Sequence, residues 1–349
     1  MENQNSQVKD VKKFGSLRRK PISLSQEKLV ETGFLQAGAA IPLAIQPAVE
    51  GLNLVAWASS HRQLIEKHLS QHGAVLFRGF HVNSVADFER LIMAVSGELL
   101  EYTYRSTPRS QVSGRIYTST EYPADQSIPL HNEMAYSRAW PMKISFCCLK
   151  AAAQGGETPI ANSRMVFNRI DPKIKGRFMK KGVLYVRNYG HGLDLAWQDV
   201  FQTESKQVVE DFCRSAGLEF EWQDGNSLRT RQVCQAVATH PSTGETVWFN
   251  QAHLFHVSSL PPEVREALLS DSDEKDLPRN AYYGDGSPIE ASVLDEIRGI
   301  YQQEKVSFPW EEGDVLLLDN MLTAHGRAPF VGPRTVVVGM AEHFSSPDY

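Results

Sequence analysis

The segment Val315–Met340 reads VLLLDNMLTAHGRAPFVGPRTVVVGM. Two apolar runs, Val315–Asp319 and Thr335–Met340, flank a connection rich in Gly and Pro. Short aliphatic and β-branched runs between such boundaries are typical of buried strands rather than helices. Similar runs occur at Ala74–Phe80 (AVLFRGF), at Ile144–Leu149 (ISFCCL) and at residues 247–249 within ETVWFNQ. The sequence therefore predicts several buried strands.

Helices are predicted around these strands. The clearest is Val85–Val95, where apolar residues recur on one face between a capping box that begins at Ser84 and a stop signal at Gly97. Others are predicted at Ser60–His72, Pro262–Leu269 and Ala291–Gln303. Regular strand–helix alternation and glycine-rich phosphate loops are missing, which disfavours a doubly wound nucleotide-binding sheet. A mostly antiparallel β-sandwich or jelly roll with helical additions fits better. The predicted fold class is mainly β with flanking helices and a double-stranded β-helix (jelly-roll, cupin-like) core.

The size and the net charge of the chain indicate which classes of protein it can belong to. Its 349 residues are enough for one large domain, and a net charge of −5 indicates neither a nucleic-acid-binding nor a membrane-surface protein. No apolar run approaches the roughly 18 residues of a membrane span. The four cysteines form no C-x-x-C pair. They predict buried thiols in a reducing cytoplasm, with neither disulfides nor a zinc site.

The predicted domain organisation has two parts. Residues 1–38 form an N-terminal extension, whose basic cluster is interpreted as a solvated tail, with a docking arm as the alternative. The cluster comprises Lys9, Lys12, Lys13, Arg18, Arg19 and Lys20. Residues 39–349 form a single domain. Within it, residues 181–231 lack a long strand pattern and are predicted to be an insertion that acts as a lid.

A histidine and a carboxylate occur close together in Pro129–Pro141, PLHNEMAYSRAWP. With 11 histidines and 41 acidic residues, chance predicts roughly one His-x-Asp/Glu pair in the chain, so His131 and Glu133 alone carry little weight. On a strand, residues i and i+2 point to the same face and can converge on one object. His325 follows the apolar run Val315–Asp319 and is a candidate third ligand. Together the three side chains would form a two-histidine, one-carboxylate face for Fe(II).

Arg334 opens the second apolar run. A guanidinium at the mouth of a buried strand requires an acceptor that matches its fork. The chain between His325 and Glu342 contains no acidic residue. The expected acceptor is therefore a carboxylate from elsewhere in the chain or from a small molecule.

Together these stretches resemble the taurine-dioxygenase-like (TauD/TfdA) family of Fe(II)/2-oxoglutarate-dependent oxygenases. They are most similar to its subgroup of syringomycin-biosynthesis hydroxylase-like proteins. The resemblance runs from about Ala39 to His343. Its motifs are EYPADQSIPLHNEMAYSRAWP (121–141), GGETPIANSR (155–164), LRTRQV (228–233), VWFNQAHLFHVSSLPPEVREALL (247–269) and HGRAPFVGPRTVVVGM (325–340).

The resemblance implies a role for each matching residue. His131, Glu133 and His325 would bind iron, while Arg334 and Thr158 would bind the far carboxylate of 2-oxoglutarate. The implied cofactors are Fe(II), the co-substrate 2-oxoglutarate and O2. Related halogenases carry a small residue where this chain has Glu133, so the resemblance implies hydroxylation rather than halogenation. Sulfonate-binding members carry a second arginine at the position of Val338, so a sulfonate substrate is not expected.

Substrate contacts are predicted with less support from the motifs. The candidates are Arg105, Thr107, Arg109, Thr118, His191, Asn250, Gln251 and Arg327. Asn250 and Gln251 are equally well explained as buried structural amides, and Arg327 as a residue that holds its turn. His253 and His256 are interpreted as packed histidines rather than as a second metal site.

The resemblance also implies the reaction. The expected activity is hydroxylation, at the β-carbon, of an amino acid or of an aminoacyl group on a carrier protein in natural-product biosynthesis. The alternatives are desaturation or cyclisation, action on a small free amino acid or betaine, and a non-catalytic sensor that binds metal and 2-oxoglutarate. A cytoplasmic enzyme is expected, with a homo-oligomer as one option and with neither nucleic acid nor membrane as a partner.

Overall fold

The structure is a computed structural model of the chain. It describes residues 29–346, apart from 37, 39, 105, 108, 120–121, 191–194 and 272. The basic cluster between Lys9 and Lys20 lies outside the described residues, as do two predicted substrate contacts, Arg105 and His191. The division at residue 38 stays a prediction.

The strands are β1 (Val30–Phe34), β2 (Leu43–Pro47), β3 (Ala74–Phe77), β4 (Gln111–Ser113), β5 (Ile116–Thr118), β6 (Ile128–His131), β7 (Ala139–Lys150), β8 (Gln154–Gly155), β9 (Ile160–Asn162), β10 (Val183–Tyr189), β11 (Glu219–Trp222), β12 (Leu228–Cys234), β13 (Val237–Thr239), β14 (Thr246–Trp248), β15 (Arg279–Tyr283), β16 (Val315–Asp319), β17 (Thr323–Arg327), β18 (Phe330–Val331) and β19 (Thr335–Ser345).

The α-helices are α1 (Leu54–Ser60), α2 (Arg62–His72), α3 (Val85–Ser96), α4 (Ser163–Arg169), α5 (Pro172–Lys181), α6 (Trp197–Phe201), α7 (Lys206–Ala216), α8 (Ala252–Phe255), α9 (Pro262–Asp271) and α10 (Ala291–Glu304). Short 3-10 turns lie at Asp224–Asn226, Val257–Ser259 and Glu274–Asp276.

The strands form one large sheet and several smaller ones. The large sheet has eight strands in the order β1-β2-β3-β16-β7-β19-β5-β4. A three-stranded sheet has the order β6-β17-β9, and a four-stranded sheet has the order β11-β12-β10-β15. Two-stranded ribbons join β13 to β14 and β18 to β8. In the large sheet β2 and β3 are parallel, whereas β16 pairs with both of its neighbours in antiparallel fashion.

Both faces of the large sheet are buried. On one face Val315 and Leu317 pack in a cluster that includes Phe88 of α3 and residues of α1 and α2. On the other face Leu316 packs in a cluster that includes Ile160 of β9, from the three-stranded sheet. Strands covered on both sides have uninterrupted apolar runs instead of alternating ones. This confirms a mainly β fold with helices on its flank.

The predicted strands and helices are largely confirmed. β16 and β19 contain the two runs of the segment Val315–Met340, and α3 begins at Val85 and is followed by Gly97. The Ser84 hydroxyl accepts a hydrogen bond from the Asp87 backbone N–H, as the capping pattern predicts.

The segment 181–231 is not a long loop. It contains β10, α6, α7, β11 and the first part of β12, and three of these strands lie side by side in the four-stranded sheet. The expectation that this segment contains no long strand is therefore wrong. The role of the segment as a lid stays a prediction.

The cysteines are buried and free, as predicted: Cys147, Cys148, Cys213 and Cys234. Burial raises the pKa of the Cys147 thiol to about 12, which keeps it protonated and unreactive at neutral pH. Within the described ranges, no helix has both the length and the apolar character needed to cross a bilayer.

Gly339 in β19 packs closely against Ile92 of α3 and against Leu99. A Cβ at this position would lie 2.5 Å from Cδ1 of Ile92 and 2.9 Å from Cδ2 of Leu99. We expect Gly339→Ala to lower the free energy of unfolding by about 1–3 kcal/mol through overpacking, measured by urea denaturation. Gly33→Ala in β1 is the control, because no atom lies within 4 Å of its added Cβ. Equal losses in both variants would contradict this account.

Candidate metal centre

Two predicted ligands come together through strand pairing. β17 is the middle strand of the three-stranded sheet, and its His325 lies directly opposite His131 of β6. The two imidazole centroids are 4.6 Å apart. Directly opposed residues in antiparallel strands have neighbouring side chains. The register of β6 against β17 therefore brings together two histidines that are far apart in the sequence.

Glu133 reaches the same point from a turn. β6 ends at His131, so the same-face argument for residues i and i+2 of a strand does not apply. The turn includes Met134, whose φ is 55°. Oε2 of Glu133 lies 3.7 Å from Nε2 of His325. One ligand atom from each of the three side chains lies within 4.8 Å of the others, the only such His, Cys, Asp or Glu cluster that the described residues form.

The histidines are in the protonation state that a metal needs. Nδ1 of His131 lies 2.8 Å from the carbonyl oxygen of Pro129. A carbonyl only accepts hydrogen bonds, so Nδ1 carries the proton and Nε2 keeps its lone pair. Desolvation lowers the pKa of His131, and burial lowers the pKa of His325 well below its usual range. Two neutral imidazoles and one carboxylate form a donor set that fits Fe(II).

Arg109 contacts the cluster directly. Its Nη2 donates to Oε2 of Glu133 at 2.7 Å, and the exposed fraction of both side chains is 3%. The guanidinium lies over the ring of Tyr102, 4.6 Å from the centroid. A predicted substrate contact is thus the ion-pair partner of a predicted metal ligand.

A cavity of about 30 Å³ adjoins the cluster. It is lined by Arg109, Ser119, Ile128, His131, Phe146, Thr158, His325, Gly326, Arg327 and Arg334. Two of the predicted iron ligands and both residues predicted to bind 2-oxoglutarate therefore face one space.

Arg334 and Thr158 are both available to an anion in this cavity. Arg334 donates to the Gly156 carbonyl at 2.8 Å and to the Ser119 hydroxyl at 3.1 Å. These two partners are neutral, and burial lowers the pKa of Arg334 to about 10. The Thr158 hydroxyl accepts from the Trp310 indole N–H at 3.2 Å, which leaves its own proton to donate.

Other predicted substrate residues have structural partners. Arg327 lines the cavity, and it donates to the carbonyls of Tyr122, Pro123 and Gln126. The Thr118 hydroxyl, at the end of β5, accepts from the Ser110 backbone N–H. Thr107 lies in a bend two residues before Arg109. Substrate roles for these residues stay predictions.

Asn250 and Gln251 are buried amides. Asn250 donates to the Ala236 carbonyl at 2.7 Å, and Gln251 donates to the Asn132 carbonyl at 2.7 Å. His253 stacks on Tyr301, and His256 pairs with Ser258. The described residues thus place neither histidine in a metal-binding cluster.

Three contributors were absent from the sequence prediction. Ser119 and Trp310 are hydrogen-bond partners of Arg334 and Thr158, and Asn320 binds the backbone of Glu133. Asn320 directly follows the apolar run of β16, but its residue type alone carries no signal of a role. Only the three-dimensional contacts reveal these partners.

Comparison with known proteins decides the family. The model of the family described as "Taurine catabolism dioxygenase TauD, TfdA family" matches residues 39–340. The chain belongs to this family. This oxygenase accordingly has a jelly-roll core, and its cofactors are Fe(II), 2-oxoglutarate and O2, as predicted.

Relatives of this oxygenase include two curated proteins. It is 44% identical over 278 residues to the dapdiamide synthesis protein DdaC of Enterobacter agglomerans. The aligned region covers 80% of this chain and 84% of that protein. It is 34% identical over 294 residues to a clavaminate synthase-like protein of Arabidopsis thaliana, with 81% and 86% covered.

A solved structure has the same fold. PvcB of Pseudomonas aeruginosa superposes with a TM-score of 0.56 at 15% sequence identity, over 94% of this chain and 98% of that one. PvcB is an Fe, alpha-ketoglutarate dependent oxygenase from an isonitrile synthetic pathway.

Proposed function

We propose that His131, Glu133 and His325 bind the Fe(II) of this oxygenase. The observation that carries the proposal is the convergence of their ligand atoms within 4.8 Å. Three protein ligands leave open positions on an octahedral ion. The neutral Nε2 of His131 would hold the ion without first losing a proton, and Glu133 would supply an oxygen ligand.

We further propose that Arg334 and Thr158 bind the far carboxylate of 2-oxoglutarate. Both line the cavity beside the histidines. A guanidinium and a hydroxyl donate three or more hydrogen bonds, which is enough to satisfy one carboxylate away from water. The cavity that these two side chains share has a volume of about 30 Å³ and also adjoins His131 and His325.

Bound Fe(II) and 2-oxoglutarate would use O2 to oxidise an unactivated C–H bond, with one oxygen atom entering succinate as CO2 is released and the other entering the substrate. The chain positions the reactants and excludes water. Phe146 contributes to this exclusion, since its ring centroid is 5.1 Å from that of His325. Arg109 keeps the Glu133 carboxylate oriented through the buried ion pair.

We propose that the outcome is hydroxylation. The position that a halide would need on the metal is filled by Glu133, which argues against halogenation. Val338, the position of a second arginine in sulfonate-binding members, is a fully buried aliphatic side chain in β19. A sulfonate substrate such as taurine therefore has no partner there.

The proposed substrate is an amino acid, free or carried as an aminoacyl group on a carrier protein, and the proposed site of attack is its β-carbon. Two similar proteins, one of dapdiamide synthesis and one of an isonitrile synthetic pathway, support a place in natural-product biosynthesis.

Product analysis tests the proposed outcome. We expect succinate formation that depends on Fe(II), 2-oxoglutarate and O2, and that accelerates with the correct member of a panel of free amino acids and aminoacyl thioesters. Mass spectrometry of the product is expected to show one added oxygen atom. Loss of two hydrogens would instead show desaturation or cyclisation. Binding of 2-oxoglutarate without succinate formation under every condition would indicate a sensor.

A further inference from the structure

Both backbone groups of Glu133 are held by one buried side chain. Glu133 has left the β6 ladder, so its backbone N–H and C=O lack strand partners. Oδ1 of Asn320 accepts from the Glu133 N–H at 2.7 Å, and Nδ2 of Asn320 donates to the Glu133 carbonyl at 2.9 Å. The Asn320 amide thus takes the place of a neighbouring strand's peptide group.

The orientation of this amide is unambiguous. The same Nδ2 also donates to the carbonyl of Pro141 at 2.8 Å. Two carbonyls can only accept and one N–H can only donate, so a flipped amide would lose all of these bonds. Asn320 is completely buried and therefore shielded from bulk solvent. The contact is also reciprocal, since the Asn132 side chain donates to the Asn320 carbonyl at 2.6 Å.

Asn320 belongs to the turn that leads into the strand of His325. Its neighbour Asp319 accepts from the backbone N–H groups of Met321 and Leu322 at 3.0 Å and contacts Nε2 of His240 at 2.9 Å. Because Nδ1 of His240 accepts from the Thr243 N–H, its Nε2 carries the proton and donates to Asp319. The turn between β16 and β17 is therefore rigid.

We propose that Asn320 is a positioning residue for the metal centre, which fixes the Glu133 turn relative to the β17 strand of His325. The inference rests on the proposed ligand set. Residues that orient metal ligands typically change metal affinity by 10- to 100-fold when they are replaced. Asn320 acts on the backbone of the ligand rather than on its carboxylate, which Arg109 contacts.

Two substitutions of Asn320 distinguish an effect on ligand position from an effect of local charge. Asn320→Ala removes all side-chain bonds to Glu133. Asn320→Asp keeps an acceptor for the Glu133 N–H, but it places a carboxylate oxygen against two carbonyl oxygens. The added negative charge alone would strengthen cation binding, whereas loss of positioning weakens it. The two explanations therefore predict opposite signs for Asn320→Asp.

The experiment measures Mn(II) binding to the full chain by isothermal titration calorimetry, with Co(II) absorption as a spectroscopic reporter of coordination. We expect both Asn320 variants to bind Mn(II) about 10- to 100-fold more weakly and to alter the Co(II) spectrum. The control is Asn280→Ala, because Asn280 is an equally buried amide that bonds to Val257 and Ala281 and is not part of this centre. Melting of the metal-free variants reports general destabilisation.

The outcomes distinguish an error in the proposed ligand set from an error in the role of Asn320. If His131→Ala binds Mn(II) like the wild type, the proposed ligand set is wrong. If His131→Ala loses binding but folded Asn320→Asp retains wild-type affinity, only the positioning role is wrong. An equal loss of affinity in Asn280→Ala would also overturn it, because the effect would then be one of general stability.

Discussion

His131→Ala is expected to lower the rate of succinate formation by about 1000-fold or more, equivalent to about 4 kcal/mol in the activation free energy. The variant keeps His325 and Glu133, but it removes the imidazole that lies opposite His325 in the β6–β17 ladder. With only His325 and Glu133 left as ligands, we expect the ion to bind weakly and the co-substrate to be poorly oriented on it. The measurement is oxygen-dependent conversion of 2-oxoglutarate to succinate, with the metal content of the variant determined in parallel.

His256→Ala is the matched control for this substitution. His256 is a buried histidine that pairs with Ser258 and lies outside the ligand cluster. Its replacement is expected to leave turnover within a few-fold of the wild type. Retention of wild-type turnover by His131→Ala would contradict the ligand assignment, and equal losses in both variants would indicate damage to the fold.

The strands of the large sheet were predictable because burial on both faces leaves a simple pattern. Val315–Asp319 contains aliphatic residues that face two different clusters, so no polar residue interrupts the run. β10 and β12 carry no such pattern. They contain buried polar residues whose partners lie on neighbouring elements, as when Arg229 donates to Asn188 at 2.6 Å. Their sequences consequently resemble a loop.

The residues of the candidate site could be named from the sequence, but the turns and contacts that bring them together could not. Family resemblance located His131, Glu133 and His325, but spacing alone left the first two as a chance pair. The turn that presents Glu133 depends on a positive φ at Met134 and on Asn320, and neither leaves a signature in the sequence. The ion pair between Arg109 and Glu133 was missed for the same reason, because it joins two segments that only the fold brings together.

Arg334→Met is expected to raise the KM for 2-oxoglutarate by about 30-fold or more, which corresponds to the 2 kcal/mol or more that truncation of a buried charge pair costs. In the structure the guanidinium is held by the Gly156 carbonyl and the Ser119 hydroxyl, both of which are neutral. Its positive charge is therefore left for the far carboxylate of the co-substrate, to which methionine offers no hydrogen bond. The measurement is succinate formation as a function of 2-oxoglutarate concentration.

Arg334→Lys and Thr158→Val separate the contributions of the Arg334 charge, its planar guanidinium and the Thr158 hydroxyl to the KM for 2-oxoglutarate. Lysine keeps the charge but not the planar fork, so we expect a KM between those of the wild type and Arg334→Met. Thr158→Val removes one hydroxyl and leaves the Trp310 N–H without its acceptor, so it is expected to raise KM less than Arg334→Met does. If KM is unchanged in Arg334→Met while the variant folds and binds Mn(II), the co-substrate carboxylate must bind elsewhere. The Arg334 guanidinium, whose hydrogen-bond partners Gly156 and Ser119 are neutral, would then need another anion, and the substrate would be the first to test.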